Sequence, residues 1–279
     1  MNIGEMRRLL SQHQLQLTRS LGQNFLHDAN QVRRIVAAAE LESGDRVLEV
    51  GPGLGPLTEQ LVEGAGRVLA VEKDARLVAV LRDRFPSDER IELMEADALD
   101  WLRSESRDWS DWKCVSNLPY SVGSPILVEL ALNPRPPRRM VVTLQAEVID
   151  RIAAKPDTEE YGVLTLLVGL RFRVASVFPI PRGCFFPAPD VESACAVLER
   201  RPATGLDERD VGTFVRVVKA GFQQRRKMLP KLLSTEWPRE AVVAAMEKAG
   251  VALTARAETV SREQFLVMSG ALAALGRGV

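Results

Sequence analysis

The chain has 279 residues, of which 46% are hydrophobic, and its 37 basic side chains are balanced by 37 acidic ones. This length and composition provide for a real core in one large or two ordinary domains. The zero formal charge argues against a protein that is basic throughout, as many nucleic-acid-binding proteins are, and permits only a local basic patch.

The cysteine and histidine content limits the class of protein further. The 3 cysteines, at positions 114, 184 and 195, show no C-x-x-C spacing, so we expect no disulfide framework and a cytoplasmic protein. The 2 histidines are too few for a His-built metal site, and we expect no bound metal. The pattern of apolar residues predicts neither a membrane span nor a signal peptide.

A helix is predicted from about Ala29, because apolar residues then recur at helical spacing and Asp28 is suited to cap its first turn. Gln23 and Asn24 precede this helix without an obvious structural need for their amide groups. Either amide could cap the helix or contact a ligand, and the sequence leaves both interpretations open.

The stretch Glu49–Thr58 has the pattern that most strongly suggests a ligand site. The apolar-rich residues 46–50 predict a buried strand, and glycines follow at 51, 53 and 55. Pro56 suits the first position of a helix, where a missing N–H costs nothing. A strand, a glycine turn and a helix begin a nucleotide-binding α/β unit, in which Gly51 and Gly53 let the backbone approach the ligand.

The spacing of this turn distinguishes between nucleotide ligands. A dinucleotide fingerprint would need a glycine where Pro56 stands, which disfavours NAD. Glu72 ends the next apolar run, about 20 residues on, where a carboxylate can accept hydrogen bonds from both ribose hydroxyls. The E-x-G-x-G pattern with this acid resembles the S-adenosylmethionine site of the Rossmann-like methyltransferases.

Apolar strands and amphipathic helices continue to alternate after the glycine turn, which predicts a parallel sheet with right-handed crossovers. The last two strands are joined without a helix and predict an antiparallel addition at the edge. We therefore predict an α/β fold with the Rossmann-like seven-stranded sheet of a class I methyltransferase. The later strands are predicted at 91–97, 113–120 and 139–145 and in the segments FRVASVF and SACAVLER.

The character of the sequence changes after a polar Pro/Gly-containing boundary at 201–210, beyond which only helical spacing occurs. This change predicts a methyltransferase domain over 1–201 and a small all-helical C-terminal domain over 202–279, to which we assign RNA recognition.

Asp97 ends the third predicted strand, at the edge where open α/β sheets bind ligands. Its carboxylate could accept a hydrogen bond from the adenine amino group of the cofactor. It could equally cap the helix that follows, and the two roles are compatible.

Asn117, Leu118, Pro119 and Tyr120 form an N-L-P-Y motif at the end of the fourth strand. Methylation of an adenine amino group is hindered because the nitrogen lone pair is delocalised into the ring. The Asn117 side-chain oxygen and the Leu118 carbonyl can accept the N–H groups and stabilise the developing positive charge. Tyr120 can stack on a base that has left its helix.

Two further motifs suggest contacts with RNA. The run from Phe185 to Ser193 fits F-x-P-x-P-x-V-x-S, and Phe185 is a candidate for a second wall of the base slot opposite Tyr120. Arg225, Arg226 and Lys227 follow a phenylalanine and two glutamines, a combination suited to phosphate and sugar contacts. A core phenylalanine and a solvated charged face are the structural alternatives for these two motifs.

Six motifs occur together in this chain: LGQNFL, EVGPGLGPLT, NLPY, F-x-P-x-P-x-V-x-S, FQQRRK and Arg256-Ala257-Glu258. In this combination they closely resemble the bacterial small-subunit ribosomal RNA adenine dimethyltransferases, from about residue 20 to the end. The resemblance implies methyl transfer from S-adenosylmethionine to N6 of two adjacent adenosines near the 3′ end of 16S rRNA. The implied partner is 16S rRNA in the assembling 30S subunit, and we expect a monomer.

Site residues follow from the resemblance position by position. An adenine site is implied at Asn117, Leu118, Tyr120 and Phe185. Cofactor contacts are implied at Asn24, Leu26, Gly51, Glu72, Asp97 and Asn117, to which the glycine turn adds Gly53.

Two alternative functions remain open at this point. The related 23S rRNA adenine methyltransferases of the macrolide-resistance type share the glycine turn, an N-[IL]-P-[YF]-type motif and the F-x-P-x-P segment. A mainly non-enzymatic factor that binds immature small subunits is the second alternative. FQQRRK and the following RAE favour the small-subunit enzymes.

Overall fold

The computed structural model of the chain describes residues 1–15, 24–86, 88–202 and 205–275. The strands are β1 (Phe25–Leu26), β2 (Arg46–Val50), β3 (Arg67–Glu72), β4 (Ile91–Glu95), β5 (Trp112–Asn117), β6 (Arg139–Gln145), β7 (Phe172–Ile180), β8 (Phe185–Phe186) and β9 (Ser193–Arg200). The α-helices are α1 (Ile3–Gln12), α2 (Ala29–Ala38), α3 (Pro56–Gly64), α4 (Ala75–Arg84), α5 (Ala98–Ser104), α6 (Gly123–Leu132), α7 (Ala146–Ala153), α8 (Val163–Gly169), α9 (Val211–Gly221), α10 (Leu229–Leu233), α11 (Arg239–Lys248) and α12 (Arg262–Leu275).

A 7-stranded sheet has the strand order β4-β3-β2-β5-β6-β9-β7. The pairs β4/β3, β3/β2, β2/β5 and β5/β6 are parallel, and β9 runs antiparallel to β6 from Arg139↔Glu199 to Gln145↔Ser193. The predicted seven-stranded sheet is confirmed. Consecutive strands lead outward in opposite directions from β2 and β5, so the topological switch point, where open sheets bind ligands, lies between these strands.

The core explains why the strands are nearly continuous apolar runs. Both faces of a parallel sheet are covered, so neighbouring residues along a strand are buried on opposite sides. Val47 and Val68 face a cluster that contains Ile35 of α2 and Leu61 of α3, all fully buried or nearly so. A second cluster contains Met6 of α1 and packs helices around the glycine turn.

A small antiparallel sheet pairs β1 with β8. Phe25 lies opposite Phe186 and Leu26 lies opposite Phe185, and the His27 N–H donates to the Cys184 carbonyl at 2.9 Å. This pairing, which the sequence analysis did not predict, joins Phe25 and Leu26 to the start of the F-x-P-x-P segment.

The chain divides into two compact units. The first comprises Met1–Ile149 and Arg173–Arg200 and contains the large sheet; the second comprises Asp150–Phe172 and Arg201–Val279. Within residues 205–275 the secondary structure is helical, as predicted. Among the described residues, no helix is long and apolar enough to cross a bilayer.

The division differs from our predicted boundary after residue 201, because α8 and its flanking turns belong to the helical unit. The Tyr161 hydroxyl donates to the Val260 carbonyl at 2.8 Å, and the Asp157 N–H donates to the Glu258 carbonyl at 2.8 Å. Arg171, which is buried, forms an ion pair with Glu208. Residues 150–172 precede β7 along the chain, so sequence order alone assigned them to the sheet domain.

Candidate active site

A cavity opens at the carboxyl ends of β2, β3, β4 and β5, on both sides of the switch point. Most residues that the sequence analysis assigned to the site come together here, although they lie on separate motifs. The predicted residues that line the cavity are Asn24, Gly51, Gly53, Glu72, Asp97, Asn117, Leu118 and Tyr120. Gln23 lies outside the described residues.

The glycine turn packs against two other motifs at the same time. Gly51 and Gly53 have positive φ angles of 69° and 61°, which favour glycine. A Cβ at Gly51 would lie 3.1 Å from the Pro119 ring of the N-L-P-Y motif, and one at Gly53 would lie 2.7 Å from the Phe25 ring. The missing side chains therefore permit the close approach of Phe25 and Pro119 to this turn.

Glu72, the last residue of β3, holds its carboxylate at the cavity through three backbone contacts. One oxygen, Oε2, accepts from the Gly53 N–H at 3.2 Å, and Oε1 accepts from the Lys73 and Asp74 N–H groups at 2.8 and 3.0 Å. Burial raises the pKa of Glu72, and these N–H groups oppose that shift. The carboxylate is thus tied to the glycine turn at the edge of the cavity, and its contact with ribose hydroxyls stays a prediction.

Asp97 caps helix α5, as one of its two predicted roles required. The Leu99 and Asp100 N–H groups donate to Oδ1 at 3.0 and 3.2 Å. The other oxygen, Oδ2, lies 2.8 Å from the Lys73 ammonium group, and this hydrogen bond is the main reason that the pKa of Asp97 is lowered. Asp97 and Lys73 both line the cavity.

Asn117 is the last residue of β5, and only one of the two polar atoms of its side-chain amide has a hydrogen-bond partner among the described residues. Its Nδ2 donates to the Asn24 carbonyl at 3.1 Å, which fixes the orientation of the amide because a carbonyl oxygen can only accept. Its Oδ1 is buried and has no hydrogen-bond partner among the described residues. Buried polar atoms are nearly always paired in folded proteins, so an unpaired acceptor at a cavity indicates a missing donor.

The rest of the N-L-P-Y motif is anchored to neighbouring strands. The Leu118 N–H donates to the Thr143 carbonyl of β6 at 3.1 Å. The Tyr120 hydroxyl is hydrogen-bonded to the hydroxyl of Ser193, which is 1% exposed and begins β9. Burial raises the pKa of Tyr120. Ser193 ends the F-x-P-x-P-x-V-x-S motif, so this bond links the two predicted halves of the adenine site.

Two predicted site residues, Leu26 and Phe185, do not line this cavity. They are 2% and 3% exposed and lie opposite each other in the pairing of β1 with β8, within one core cluster. A stacking wall formed by Phe185 and a cofactor contact by Leu26 therefore stay predictions. In this structure the two side chains help to hold Asn24 and Phe25 beside the cavity.

The basic cluster lies between α9 and α10, and all three of its side chains are exposed. Arg225 donates to the Tyr161 carbonyl at 3.1 Å and lies 3.6 Å from Glu258, so it also joins FQQRRK to the R-A-E motif. Arg226 and Lys227 form no side-chain ion pair with other described residues and are available to an anionic partner.

Sequence reasoning missed four residues that shape the site: Phe25, Lys73, Pro119 as a packing partner, and Ser193. Each adjoins or belongs to a motif, but its contact partner lies elsewhere along the chain. The described part of the chain holds no cluster of three or more His, Cys, Asp and Glu side chains arranged for a metal ion.

Sequence comparison finds relatives over nearly the whole chain. A family model described as ribosomal RNA adenine dimethylase matches residues 14–274. A protein named ribosomal RNA small subunit methyltransferase A from Geobacillus kaustophilus (strain HTA426) is 38% identical, covering 98% of this chain and 96% of its own. One with the same name from Streptococcus pneumoniae (strain P1031) is 36% identical, covering 96% of both chains.

Two solved structures share the fold. A dimethyladenosine transferase from Plasmodium falciparum superposes with a TM-score of 0.72 at 22% identity, covering 88% of this chain and 95% of that one. The 23S rRNA methyltransferase ErmE superposes with a TM-score of 0.65 at 29% identity, covering 90% of this chain and 100% of that one. At 22% identity, the likeness to the Plasmodium falciparum protein shows a shared fold and no more.

Proposed function

The chain belongs to the ribosomal RNA adenine dimethylase family, and from that premise we propose a specific reaction for it. It transfers methyl groups from S-adenosylmethionine to N6 of two adjacent adenosines near the 3′ end of 16S rRNA, and each becomes N6,N6-dimethyladenosine. One observation carries this proposal: the buried, unpartnered Asn117 Oδ1 at the cavity, where it can accept an N–H of the target amine.

The residues of the cavity fit S-adenosylmethionine. The Glu72 carboxylate is held where it can accept from ribose hydroxyls, and Asp97 offers an acceptor for the adenine amino group. Gly51 and Gly53 line the cavity and carry no side chains, so a ligand can approach the backbone of the turn. When bound, the cofactor supplies a methyl group on a positively charged sulfur, which is a good leaving group.

Asn117 and Leu118 prepare the acceptor nitrogen. The Asn117 Oδ1 and the Leu118 carbonyl accept the two N–H groups of the adenine amine, which draws the nitrogen toward the tetrahedral geometry in which its lone pair is no longer delocalised into the ring. As the nitrogen attacks, positive charge develops on it, and fixed acceptors stabilise that charge without reorganising until the nitrogen loses a proton to water. The bond from Asn117 Nδ2 to Asn24 holds the oxygen in place throughout this step.

Tyr120 provides the surface on which the target base is held. A base inside a helix hides its amino group, so the adenosine must leave its stack before transfer. The phenol is fixed at its hydroxyl by Ser193, which leaves the ring to stack on the base.

Recognition of the RNA falls to the exposed basic cluster of the helical unit. Arg226 and Lys227 contact phosphates, which position a protein without reading sequence. Specificity then comes from the folded shape of the rRNA, so a pre-assembled small subunit is a better substrate than short naked RNA.

A 23S rRNA methyltransferase activity is the second candidate, and the likeness to ErmE favours it. The two relatives described above are named for the small subunit, which supports the first candidate. A purely non-enzymatic assembly factor would have no use for the unpartnered Asn117 acceptor.

Mass spectrometry of rRNA tests all three functions. In cells that lack this protein, the 3′ region of 16S rRNA should lose dimethyladenosine, and the wild-type gene should restore it. Loss of a 23S modification instead would support the second candidate. Restoration of subunit assembly by an Asn117→Ala variant, with no modification restored, would identify the essential role as non-enzymatic binding.

A further inference from the structure

We propose that Lys73 competes with the adenine amino group of the cofactor for one oxygen of Asp97, and so weakens cofactor and product binding. This inference rests on the cofactor site of the proposed function. Lys73 is directly adjacent to Glu72, but neither the motifs nor the family resemblance drew attention to it.

The sheet brings the two residues together. Strands β3 and β4 are parallel neighbours with Glu72 opposite Glu95, so the residues that follow each strand meet at the same edge. Lys73 follows β3 directly, and Asp97 lies two residues beyond the end of β4. Their side chains form an ion pair of 2.8 Å beside the cavity that both residues line.

The carboxylate of Asp97 has one oxygen to offer a ligand. Oδ1 already accepts two backbone N–H groups at the start of α5, and those bonds are needed to cap the helix. Oδ2 accepts from Lys73 and forms no other side-chain bond with the residues that the structure describes. An adenine amine that binds Asp97 must therefore approach the oxygen that the ammonium group holds.

The ion pair is weak enough to open during binding. The Lys73 side chain is 64% exposed and that of Asp97 is 30% exposed, so water can solvate the ammonium group when it leaves. Exposed ion pairs of this kind change an equilibrium by about 1.4- to 5-fold. The four-carbon stem of Lys73 can still cover the base after the ammonium group has moved into water.

Weak binding of the adenosyl group is useful in the proposed reaction. Two methyl groups on each of two adenosines require repeated exchange of the spent cofactor for a fresh one. When Lys73 returns to Asp97, it replaces the hydrogen bond that the leaving adenine gives up. Lys73 thus favours release of S-adenosylhomocysteine between transfers.

Calorimetry with S-adenosylhomocysteine and with its analogue that has hydrogen in place of the 6-amino group tests this competition. For Lys73→Met we expect S-adenosylhomocysteine to bind about 1.4- to 5-fold tighter, and the analogue to bind as it does to wild type. S-adenosylhomocysteine has no net charge at neutral pH, so loss of the lysine charge has little other effect on its affinity.

Arg67→Met is the matched control. Arg67 forms a 2.7 Å ion pair with Glu92 at the opposite end of the same strand, with side chains 56% and 36% exposed. We expect the Arg67→Met variant to bind both ligands with the affinity of wild type. Added salt should strengthen S-adenosylhomocysteine binding to wild type relative to Lys73→Met, because salt weakens the competing ion pair.

Unchanged or weaker binding of S-adenosylhomocysteine by Lys73→Met would overturn the competition, because the amine and the ammonium group would then share Oδ2. An equal gain for the analogue would also overturn it, because the effect would not involve the amino group. Failure of the wild-type protein to bind S-adenosylhomocysteine at all would instead overturn the cofactor site, and the competition with it.

Discussion

In the part of the chain that the structure describes, buried polar groups are paired at one end of the large sheet and lack hydrogen-bond partners at the other. At the amino ends of β2 and β5, Asp45 is 5% exposed and pairs with Lys113 at 2.8 Å and with Arg138. Lys113 also donates to the Glu40 carbonyl. At the carboxyl ends, Asn117 Oδ1 and Glu49 Oε2 are buried without a hydrogen-bond partner among the described residues.

This difference separates structural from functional chemistry within one sheet. A buried charge that has lost its partner destabilises a fold strongly, so the complete network around Asp45 indicates a role in stability. Unpaired buried groups are costly and persist where a ligand supplies the missing partner. Substitutions of the groups that line the cavity at the carboxyl end should therefore impair activity, and substitutions at the amino end should impair stability.

The largest effect on activity is expected for Asn117→Ala. Loss of the acceptor should abolish methyl transfer. Removal of one oxyanion-hole group lowers kcat by about 10²–10³-fold in other enzymes, and we expect kcat to fall by no less here. Circular dichroism should show an intact fold, because the amide makes a single part-buried hydrogen bond, to the Asn24 carbonyl, and belongs to neither hydrophobic cluster described above. Asn133→Ala, which removes an acceptor for the Arg135 N–H away from the cavity, is the control and should be fully active.

At the amino end of the sheet, Asp45→Ala should lower stability and leave activity unchanged. This change leaves Lys113 buried without its carboxylate and should cost about 3–5 kcal/mol of stability, measured as a lower urea midpoint. Activity per folded molecule should not change. Asp88→Ala removes an exposed pair with Arg90 and should lower the urea midpoint much less than Asp45→Ala does. Equal losses for both variants would contradict the distinction.

Glu49→Gln tests the carboxyl end through pH. Burial raises the pKa of Glu49 from 4.5 to about 8, so the folded protein keeps a proton that the unfolded chain loses. The stability of wild type should therefore fall as pH rises from about 4.5 to about 8. The Gln variant lacks this loss, and its Tm should rise relative to wild type across that window. Parallel pH profiles of Tm would show that Glu49 is ionised in the folded protein.

Glu72→Ala should weaken cofactor binding by about 1.5–3 kcal/mol, the range for hydrogen bonds to a charged group. Isothermal calorimetry with S-adenosylmethionine measures this loss. The same Arg67→Met variant used for Lys73 serves as the control. An unchanged affinity would remove Glu72 from the cofactor site.

The smallest effects are expected at the hydroxyl of Tyr120. Tyr120→Ala should lose base stacking worth about 1–3 kcal/mol, seen in kcat/KM. Tyr120→Phe keeps the ring and loses only the bond to Ser193, so it should retain much of the activity. Ser193→Ala breaks the same bond, and the double variant Tyr120→Phe/Ser193→Ala should be no worse than either single one. An inactive Tyr120→Phe would point to proton transfer by the hydroxyl.

The local sequence was enough to predict the large sheet and most of the cavity. Apolar runs such as residues 46–50 and 67–72 form strands because both faces of a parallel sheet are covered. The glycine turn follows such a run directly, Glu72 and Asn117 end one, and Asp97 lies two residues beyond one. Since the carboxyl ends of parallel strands meet at one edge, their convergence follows from the order of the elements.

The tertiary structure decided which distant segments touch. Pairing of β1 with β8 buries Leu26 and Phe185. Each of them belongs to a motif from which we had predicted a ligand contact. The bonds from Asn117 to Asn24 and from Tyr120 to Ser193 depend on the same long-range packing. Helical or strand spacing is set within a few residues, whereas these contacts arise only when the sheet and its loops have been assembled.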